Sequence, residues 1–230
     1  MNTNPIEVRV WDLPTRLFHW LLALCVATSL VTGFFDGILG SSTFTWHQRS
    51  GYCAVGLVVF RVVWGFVGGT YARFATFLKG PMTVTRYLAA RGTVRNTEPS
   101  LGHNPLGGWS VVAMLVAIGT QAMTGLFLSL EDYGFQAPLA KYVSGATADR
   151  LNAVHGWAAW VVVGLVALHL AAIAYYAVVR KTNLIPAMVT GFQRVAFARP
   201  EHPSRGGNLA LGLVVAAAVG VAVWWLVTHN

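Results

Sequence analysis

The sequence predicts an all-α integral membrane protein, a helical bundle with a four-helix core and a fifth transmembrane helix. Of its 230 residues, 55% are hydrophobic and only 10% are charged. Soluble domains carry roughly 25% charged residues, so this chain lacks the charge to cover a surface that faces water. The same composition excludes intrinsic disorder, which requires low hydrophobicity and high charge. A soluble α/β enzyme is disfavoured for the same reason.

Five windows are apolar enough to cross a bilayer, each close to the 20 or so residues that a spanning helix needs. They cover approximately residues 17–35, 51–69, 109–130, 154–179 and 209–227, and Arg61 is the only charged residue inside them. No small-residue cleavage pattern follows the first window, so we expect that helix to be retained. We expect residues 1–230 to form a single transmembrane domain.

The distribution of lysine and arginine predicts the orientation. Twelve of these residues lie in segments on the N-terminal side of the membrane and three on the opposite side. Basic residues concentrate in cytoplasmic segments, which predicts a cytoplasmic N-terminus and a periplasmic C-terminus. The formal net charge of +8 is explained in this way, without a nucleic-acid partner.

Four histidines lie in or at the ends of the predicted spans: His19, His47, His155 and His169. A titratable side chain at membrane depth is costly and usually functional. The 14 residues between His155 and His169 are close to four helical turns, or about 21 Å, so both project from nearly the same face. The direction of each span then pairs His47 with His155 at the outer level and His19 with His169 at the inner level.

Two facing pairs of imidazoles predict two bis-histidine haems stacked across the membrane. The chain has no CxxCH attachment motif, so both haems are expected to be noncovalent and b-type. A proton relay or a metal-ion transport path remains an alternative of another class, although such paths usually include carboxylates or thiolates at the same level. A structural anchor subunit without haem is a third interpretation.

Arg61 follows His47 by the same 14-residue interval and is therefore expected on the same helix face, at the inner level. A guanidinium there suits a haem propionate, which it can bind through two hydrogen bonds. Snorkelling of Arg61 to the inner membrane surface is the competing interpretation. Arg16, one turn before His19, is a second candidate for a propionate contact.

Other polar and small residues are candidates for weaker roles. His103 and Asn104 lie in LGHNPLGGW before the third span. This segment favours a turn and a helix cap, and the two side chains are also candidates for hydrogen bonds to a quinone head group. Among the small residues, Gly125 is expected to allow close approach of a helix or of a porphyrin.

These segments resemble the bacterial cytochrome b561 and nickel-iron hydrogenase b-type cytochrome subunit family. The resemblance covers about residues 8–192 and rests on flanking residues as well as on the histidines. The matching segments are VWDLPTRLFHWLLA, WHQRSGYCAVGLVVFRVVWGFVG, YARFATF, GHNPLGGW, HGWAAWVVVGLVALHLAA and RKTNLIPAMVTG.

The resemblance implies a four-helix core that binds two b-type haems in the bacterial inner membrane, with His19 and His169 as inner ligands and His47 and His155 as outer ligands. Members of this family link the quinone pool to a hydrogenase, another periplasmic enzyme or a c-type cytochrome, as electron-transfer subunits of an oxidoreductase. One branch resembles a superoxide-oxidising quinone reductase.

Two further expectations concern the periplasmic partner and the end of the chain. Three outer acids are candidates for docking a basic redox protein: Glu131, Asp132 and Asp149. The fifth span has no ligand histidine and lies beyond the resemblance. It is expected either to pack on the periphery of the bundle or to dock a partner.

Overall fold

Most of the chain is helical, which confirms the predicted fold class. The computed structural model describes residues 6–90, 101–130, 134–195 and 205–229. The predicted docking acids Glu131 and Asp132 lie outside these residues, as do Arg91, Arg95 and Arg199 of the charge distribution. Within the described residues, five helices are long and apolar enough to cross a membrane: α1 (Leu13–Phe34), α2 (Thr43–Val67), α5 (Pro105–Gly125), α6 (Gly145–Val178) and α8 (Leu209–Thr228).

Short elements connect the long helices. They are strand β1 (Ile6–Arg9), helices α3 (Phe74–Phe77) and α4 (Pro81–Ala90), strands β2 (Ser129–Leu130) and β3 (Phe135–Gln136), helix α7 (Ile185–Thr190) and strand β4 (Phe192–Val195). Two 3₁₀ turns, Gly40–Ser42 and Ala140–Tyr142, precede α2 and α6. The strands form two antiparallel pairs that the sequence did not predict. β1 pairs with β4 in the register Glu7 to Arg194, and β2 pairs with β3.

Several helix ends differ from the predicted windows, and the start of α2, the start of α6 and the end of α5 differ most. α2 begins at Thr43, which places His47 inside the helix instead of before it. α6 begins at Gly145, because Ser144 accepts a hydrogen bond from the Thr147 amide and caps the helix. α5 ends at Gly125, because the backbone that follows pairs with residues 137–139.

The described chain divides into two compact units. The first contains Met1–Leu17, Arg61–Val112 and His169–Leu213, and the second contains Phe18–Phe60, Ala113–Leu168 and Val214–Asn230.

In the first unit, the buried carboxylate of Asp12 joins three segments. It caps α1 by accepting a hydrogen bond from the Thr15 amide at 2.8 Å. It also accepts from the indole Nε1 of Trp64, at 3.2 Å, and from the Gly69 amide, at 3.0 Å. Trp64 is completely buried and Asp12 is 4% exposed, so these donors are paired away from solvent. The start of α1 and the end of α2 are fixed to one another in this way.

The start of α8 belongs to the same cluster. A β-carbon on Gly207 would lie 2.5 Å from Asp12 Oδ2 and from Trp64 Cζ2, and one on Gly212 would lie 2.9 Å from Pro14 Cγ. Only glycine permits such close approach. The fifth helix is therefore packed tightly against α1 and α2 in this unit.

The second unit contains the greater part of α1, α2, α5, α6 and α8. In it, Ser29 of α1 and Ser50 of α2 share a hydrogen bond of 2.6 Å. α8 contacts α2 through Val219 and Val223, whose methyl groups lie about 3.5 Å from a β-carbon placed on Gly56. The fifth helix therefore packs against α2 in this unit as well.

We predict that Asp12→Ala lowers the thermal unfolding temperature of the detergent-solubilised protein. Loss of the helix cap and of two buried acceptors should destabilise it by about 2–4 kcal/mol. Asp12→Asn retains one carbonyl acceptor and should cost less. Asp149→Ala, at an exposed position, is the control. Unchanged unfolding of Asp12→Ala would show that this carboxylate does not hold the segments together.

Candidate functional site

His47 and His155 face each other in the second unit. His47 projects from α2 and His155 from α6, and their ring centroids lie 6.3 Å apart with the ring planes inclined at 74°. Both imidazoles are half-buried. The structure therefore brings together the two histidines that the sequence predicted to share the outer level.

The two rings line a cavity of about 500 Å³ between α1, α2, α5, α6 and the β2–β3 hairpin. This volume lies in the range of cofactor sites, roughly 300–1,000 Å³. Its wall is mainly apolar and includes Ile118, Ala122, Leu126, Ala159 and Val162. Such walls suit a large planar macrocycle.

The Nδ1 atom of each ring is engaged by the helix that faces it. His47 Nδ1 lies 3.0 Å from the Ser29 carbonyl and 3.3 Å from Thr32 Oγ1. His155 Nδ1 lies 3.1 Å from Thr124 Oγ1. Acceptors at Nδ1 favour the tautomer with a proton on that atom, which leaves Nε2 free to bind a metal.

Two glycines lie against the edges of these rings. A β-carbon on Gly33 would be 3.0 Å from His47 Cε1, and one on Gly125 would be 3.2 Å from His155 Cε1. Gly125 thus allows the close approach that the sequence suggested, although its close neighbour is an imidazole. Each imidazole therefore lies between the helix that carries it and the backbone of the facing helix, which is α1 for His47 and α5 for His155.

The Gln121 carboxamide occupies the position next to the free nitrogen of His155. Its Nε2 atom lies 3.0 Å from His155 Nε2. Its Oε1 atom is buried and has no hydrogen-bond partner among the described residues. A metal at His155 Nε2 would require this flexible side chain to rotate away.

The donor set and its spacing fit a bis-histidine haem. Metal–imidazole bonds are about 2.0 Å long, so two imidazoles on opposite sides of one ion have centroids roughly 6 Å apart. The separation of 6.3 Å matches this arrangement. In the described ranges, no group of three or more histidine, cysteine or acidic side chains is placed to bind a metal ion. The two imidazoles and the apolar cavity therefore fit a haem iron and its macrocycle.

Sequence reasoning missed Thr32, Gly33, Thr124 and Gln121. The signal was present, because SLVTGFF at the end of α1 and QAMTGLF at the end of α5 have Thr-Gly at the same place in each segment. A search for titratable residues alone does not detect it.

The pairing of His19 with His169 at an inner site stays a prediction. His19 belongs to the second unit and His169 to the first. Both side chains are half-buried, and the His19 ring packs edge-on against Trp20 at 5.0 Å.

Arg61 is buried in the first unit, with 3% of its surface exposed. Its guanidinium lies over the ring of Phe74, at 4.9 Å, and near that of Phe77, at 5.8 Å. The Asp12 carboxylate is close enough to attract it electrostatically. Its Nη1 atom has no hydrogen-bond partner in the described part of the chain. A buried guanidinium with a spare donor is suited to hold an anionic group.

The second arginine candidate, Arg16, is tied to helix α7. Its Nη1 atom donates to the Val189 carbonyl. Its Nε atom is buried and finds no partner among the residues described. The Nη1 atom of Arg16 is thus engaged by the fold, whereas its Nε donor is available for another group as far as the described residues show.

Asn104 caps α5, as the local sequence predicts. Its Oδ1 atom accepts from the Gly107 amide at 2.7 Å, and its Nδ2 atom donates to the Tyr176 hydroxyl at 2.8 Å. The ring of His103 packs near Trp11 and Phe77, with centroid distances of 4.8 and 4.9 Å. Asn104 is therefore largely engaged by the fold.

Comparison with known proteins gives a consistent family. The profile of the prokaryotic cytochrome b561 family matches residues 10–191. The chain is 23% identical to a probable Ni/Fe-hydrogenase 1 B-type cytochrome subunit of Escherichia coli K12, over 89% of this chain and 98% of the relative. It is 29% identical to a probable Ni/Fe-hydrogenase B-type cytochrome subunit of Azotobacter chroococcum mcd 1, over 84% and 91% of the two chains.

A third relative, from Rhizobium leguminosarum bv. viciae and with the same name as the Azotobacter protein, is 25% identical over 80% of this chain and 88% of its own. No solved structure shows a significant match. The family match covers four of the five apolar helices and both facing histidines. The chain therefore belongs to the prokaryotic cytochrome b561 family and is a multi-pass b-type cytochrome of the bacterial inner membrane, with haem b as its cofactor.

Proposed function

We propose that this cytochrome carries electrons across the membrane between the quinone pool and a periplasmic redox partner, through two noncovalent haems. The observation that carries the proposal is the facing of His47 and His155 across an apolar cavity at the separation expected of axial ligands. Bound haem supplies the one-electron chemistry. The protein supplies ligands, position and an environment without water.

At the outer site, His47 and His155 are the proposed axial ligands. Their Nδ1 atoms are directed to acceptors on α1 and α5, which leaves each Nε2 for the iron once the Gln121 carboxamide rotates away from His155. The rings are fixed before the cofactor binds, which lowers the cost of ordering them.

At the inner site, His19 and His169 are the proposed ligands of the second haem. The support is the sequence spacing: α6 carries both His155 and His169, 14 residues apart on one uninterrupted helix. That spacing corresponds to about four turns and a second level in the membrane.

Arg61 and Arg16 are proposed to neutralise propionates of the inner haem. Arg61 is buried, lies against two phenylalanine rings and has an Nη1 donor with no partner among the residues that the structure describes. A charge in this setting requires an anionic partner, and Asp12 is already engaged by three N–H donors. A carboxylate of the cofactor would complete the pairing.

The orientation and the exchange partners follow from the same arrangement. The positive-inside distribution supports a cytoplasmic N-terminus, with the inner haem near the cytoplasmic side. A quinone is proposed to bind there near His103, while Asn104 caps the start of α5. The relatives named as hydrogenase subunits support a hydrogenase as the periplasmic partner, and a c-type cytochrome is the alternative.

The first test is the haem content. The pyridine haemochrome assay on the purified protein should give two b-type haems per chain. His47→Ala and His155→Ala should remove the outer haem, and His19→Ala and His169→Ala the inner one, because each haem loses an axial ligand. His229→Ala, near the C-terminus, is the control. Depletion of the same haem by His47→Ala and His19→Ala would refute the two-level arrangement.

The second test concerns Arg61. Arg61→Gln should lower the midpoint potential of one haem, the inner one, because loss of a nearby positive charge disfavours the added electron. Arg61→Lys keeps the charge and should shift that potential less. Spectroelectrochemical titration of both variants measures the effect. Equal shifts of both haems, or none, would argue against a propionate contact.

The third test separates the two ends of the electron path. A short-chain quinol should reduce the wild-type haems, and His19→Ala or His169→Ala should slow this reduction more than His47→Ala or His155→Ala. Reduction by hydrogen with a nickel-iron hydrogenase should show the opposite order. Stopped-flow absorbance measures both rates. If the same pair of variants were the slower one with both electron donors, the proposed contact of quinone with the inner haem and of hydrogenase with the outer haem would be contradicted.

A further inference from the structure

We infer that a Thr-Gly pair on the facing helix positions each outer histidine and sets the electronic character of the ligand. The pairs are Thr32-Gly33, opposite His47, and Thr124-Gly125, opposite His155. This inference rests on the proposed bis-histidine site and assigns a role to four residues that are not ligands. They act through the imidazoles, as positioning residues.

The hydroxyl geometry makes each threonine an acceptor for the ring. Thr32 Oγ1 donates to the Thr28 carbonyl at 2.6 Å, so its proton is directed back to α1. Its lone pairs then face His47 Nδ1, at 3.3 Å. A hydroxyl whose proton is used in this way can only accept from the imidazole, and this fixes the Nδ1–H tautomer.

Thr124 repeats the arrangement on α5. Its hydroxyl lies 2.8 Å from the Thr120 carbonyl and 3.0 Å from that of Gln121, and it accepts from His155 Nδ1 at 3.1 Å. Each ring therefore has a threonine hydroxyl as an acceptor at Nδ1, and His47 Nδ1 has the Ser29 carbonyl as a second acceptor.

The glycine that follows each threonine admits the ring edge. A side chain on Gly33 would meet His47 Cε1 at 3.0 Å, and one on Gly125 would meet His155 Cε1 at 3.2 Å. These separations are shorter than ordinary carbon contacts of about 3.5–4.0 Å. The ring cannot retreat without loss of its Nδ1 hydrogen bonds, so a methyl group would tilt it away from the ligating position.

The duplication argues for a role in ligation. Helix packing alone requires neither a hydroxyl at each Nδ1 nor a glycine at each Cε1. The same two contacts, a hydroxyl at Nδ1 and a glycine at Cε1, occur twice, between α1 and α2 and between α5 and α6, at the two rings that line one cavity. A ligand pair that must present both Nε2 atoms to one ion provides the common requirement.

The electronic consequence follows from the Nδ1 hydrogen bond. An acceptor at Nδ1 increases the basicity of the ring and favours the oxidised, more positive iron. Removal of one acceptor should therefore make reduction easier and raise the midpoint potential of the outer haem. The inner haem should not respond.

The test uses the full-length holoprotein with Thr32→Val and Thr124→Val, singly and together. Valine keeps the shape and removes the hydroxyl. We expect the potential of one haem, the one that His47→Ala removes, to rise in each single variant and further in the double variant. Its low-spin electron paramagnetic resonance signal should shift as well. Thr32→Ser and Thr124→Ser should restore wild-type values.

Thr28→Val and Thr120→Val are matched controls, because these threonines lie one turn earlier on the same helices and contribute backbone carbonyls to the network. Unchanged potential and resonance signal in the double valine variant at full haem content would overturn the inference. A shift in the control variants of the same size would overturn it too.

If the Thr32→Val and Thr124→Val variants lose the outer haem, a second measurement tests the inference. Gly33→Ala and Gly125→Ala should accelerate transfer of the outer haem to an apoprotein acceptor, whereas the serine variants should keep the wild-type rate. Equal rates in all variants would refute the positioning role. Retention of both haems by His47→Ala and His155→Ala would instead refute the proposed function, so the two failures are distinguishable.

Discussion

The site depends on the way two imidazoles are presented to one apolar cavity. The Nδ1 atom of His47 is bound by a carbonyl and a hydroxyl oxygen of α1, and that of His155 by a hydroxyl oxygen of α5. The Nε2 atoms are left for a metal once the Gln121 carboxamide moves away from His155. In a bilayer, unpaired polar atoms cost several kcal/mol each, which makes this division of the two nitrogens necessary as well as useful. The helix positions, the glycines at the ring edges and the shape of the cavity are consistent with that single requirement.

The requirement that buried polar atoms have partners also accounts for the buried charges of the first unit. Asp12 is stable there because three N–H donors surround its carboxylate, one of them at the end of a helix. Arg61 is different, since aromatic faces and a nearby carboxylate leave its Nη1 atom without a hydrogen bond in the described structure. A satisfied acid beside an incompletely satisfied base is the pattern expected where a further anionic group belongs.

The sequence predicted the helices and the outer histidine pair because both follow from local rules. Apolar length predicts the spans, and the direction of each span predicts that His47 and His155 share one level. The strand pair of Glu7 with Arg194 joins residues 187 positions apart, and no local pattern in the sequence predicts it. The Thr-Gly pairs were visible as a repeated dipeptide, but their meaning required knowledge of which helix faces which ring. The role of Asp12 likewise depends on Trp64 and therefore on tertiary packing.

The fifth helix shows how packing can decide between interpretations that the sequence leaves open. In the first unit, Gly207 and Gly212 bring its start into contact with Asp12, Trp64 and Pro14, and the Arg205 backbone exchanges hydrogen bonds with Thr70. In the second unit, its valines lie against Gly56. A helix kept only to dock a partner would not need glycines that fit the core of its own bundle. We therefore interpret α8 as a structural member of the bundle, which stabilises the ends of α1 and α2 on which Asp12 and Arg61 depend.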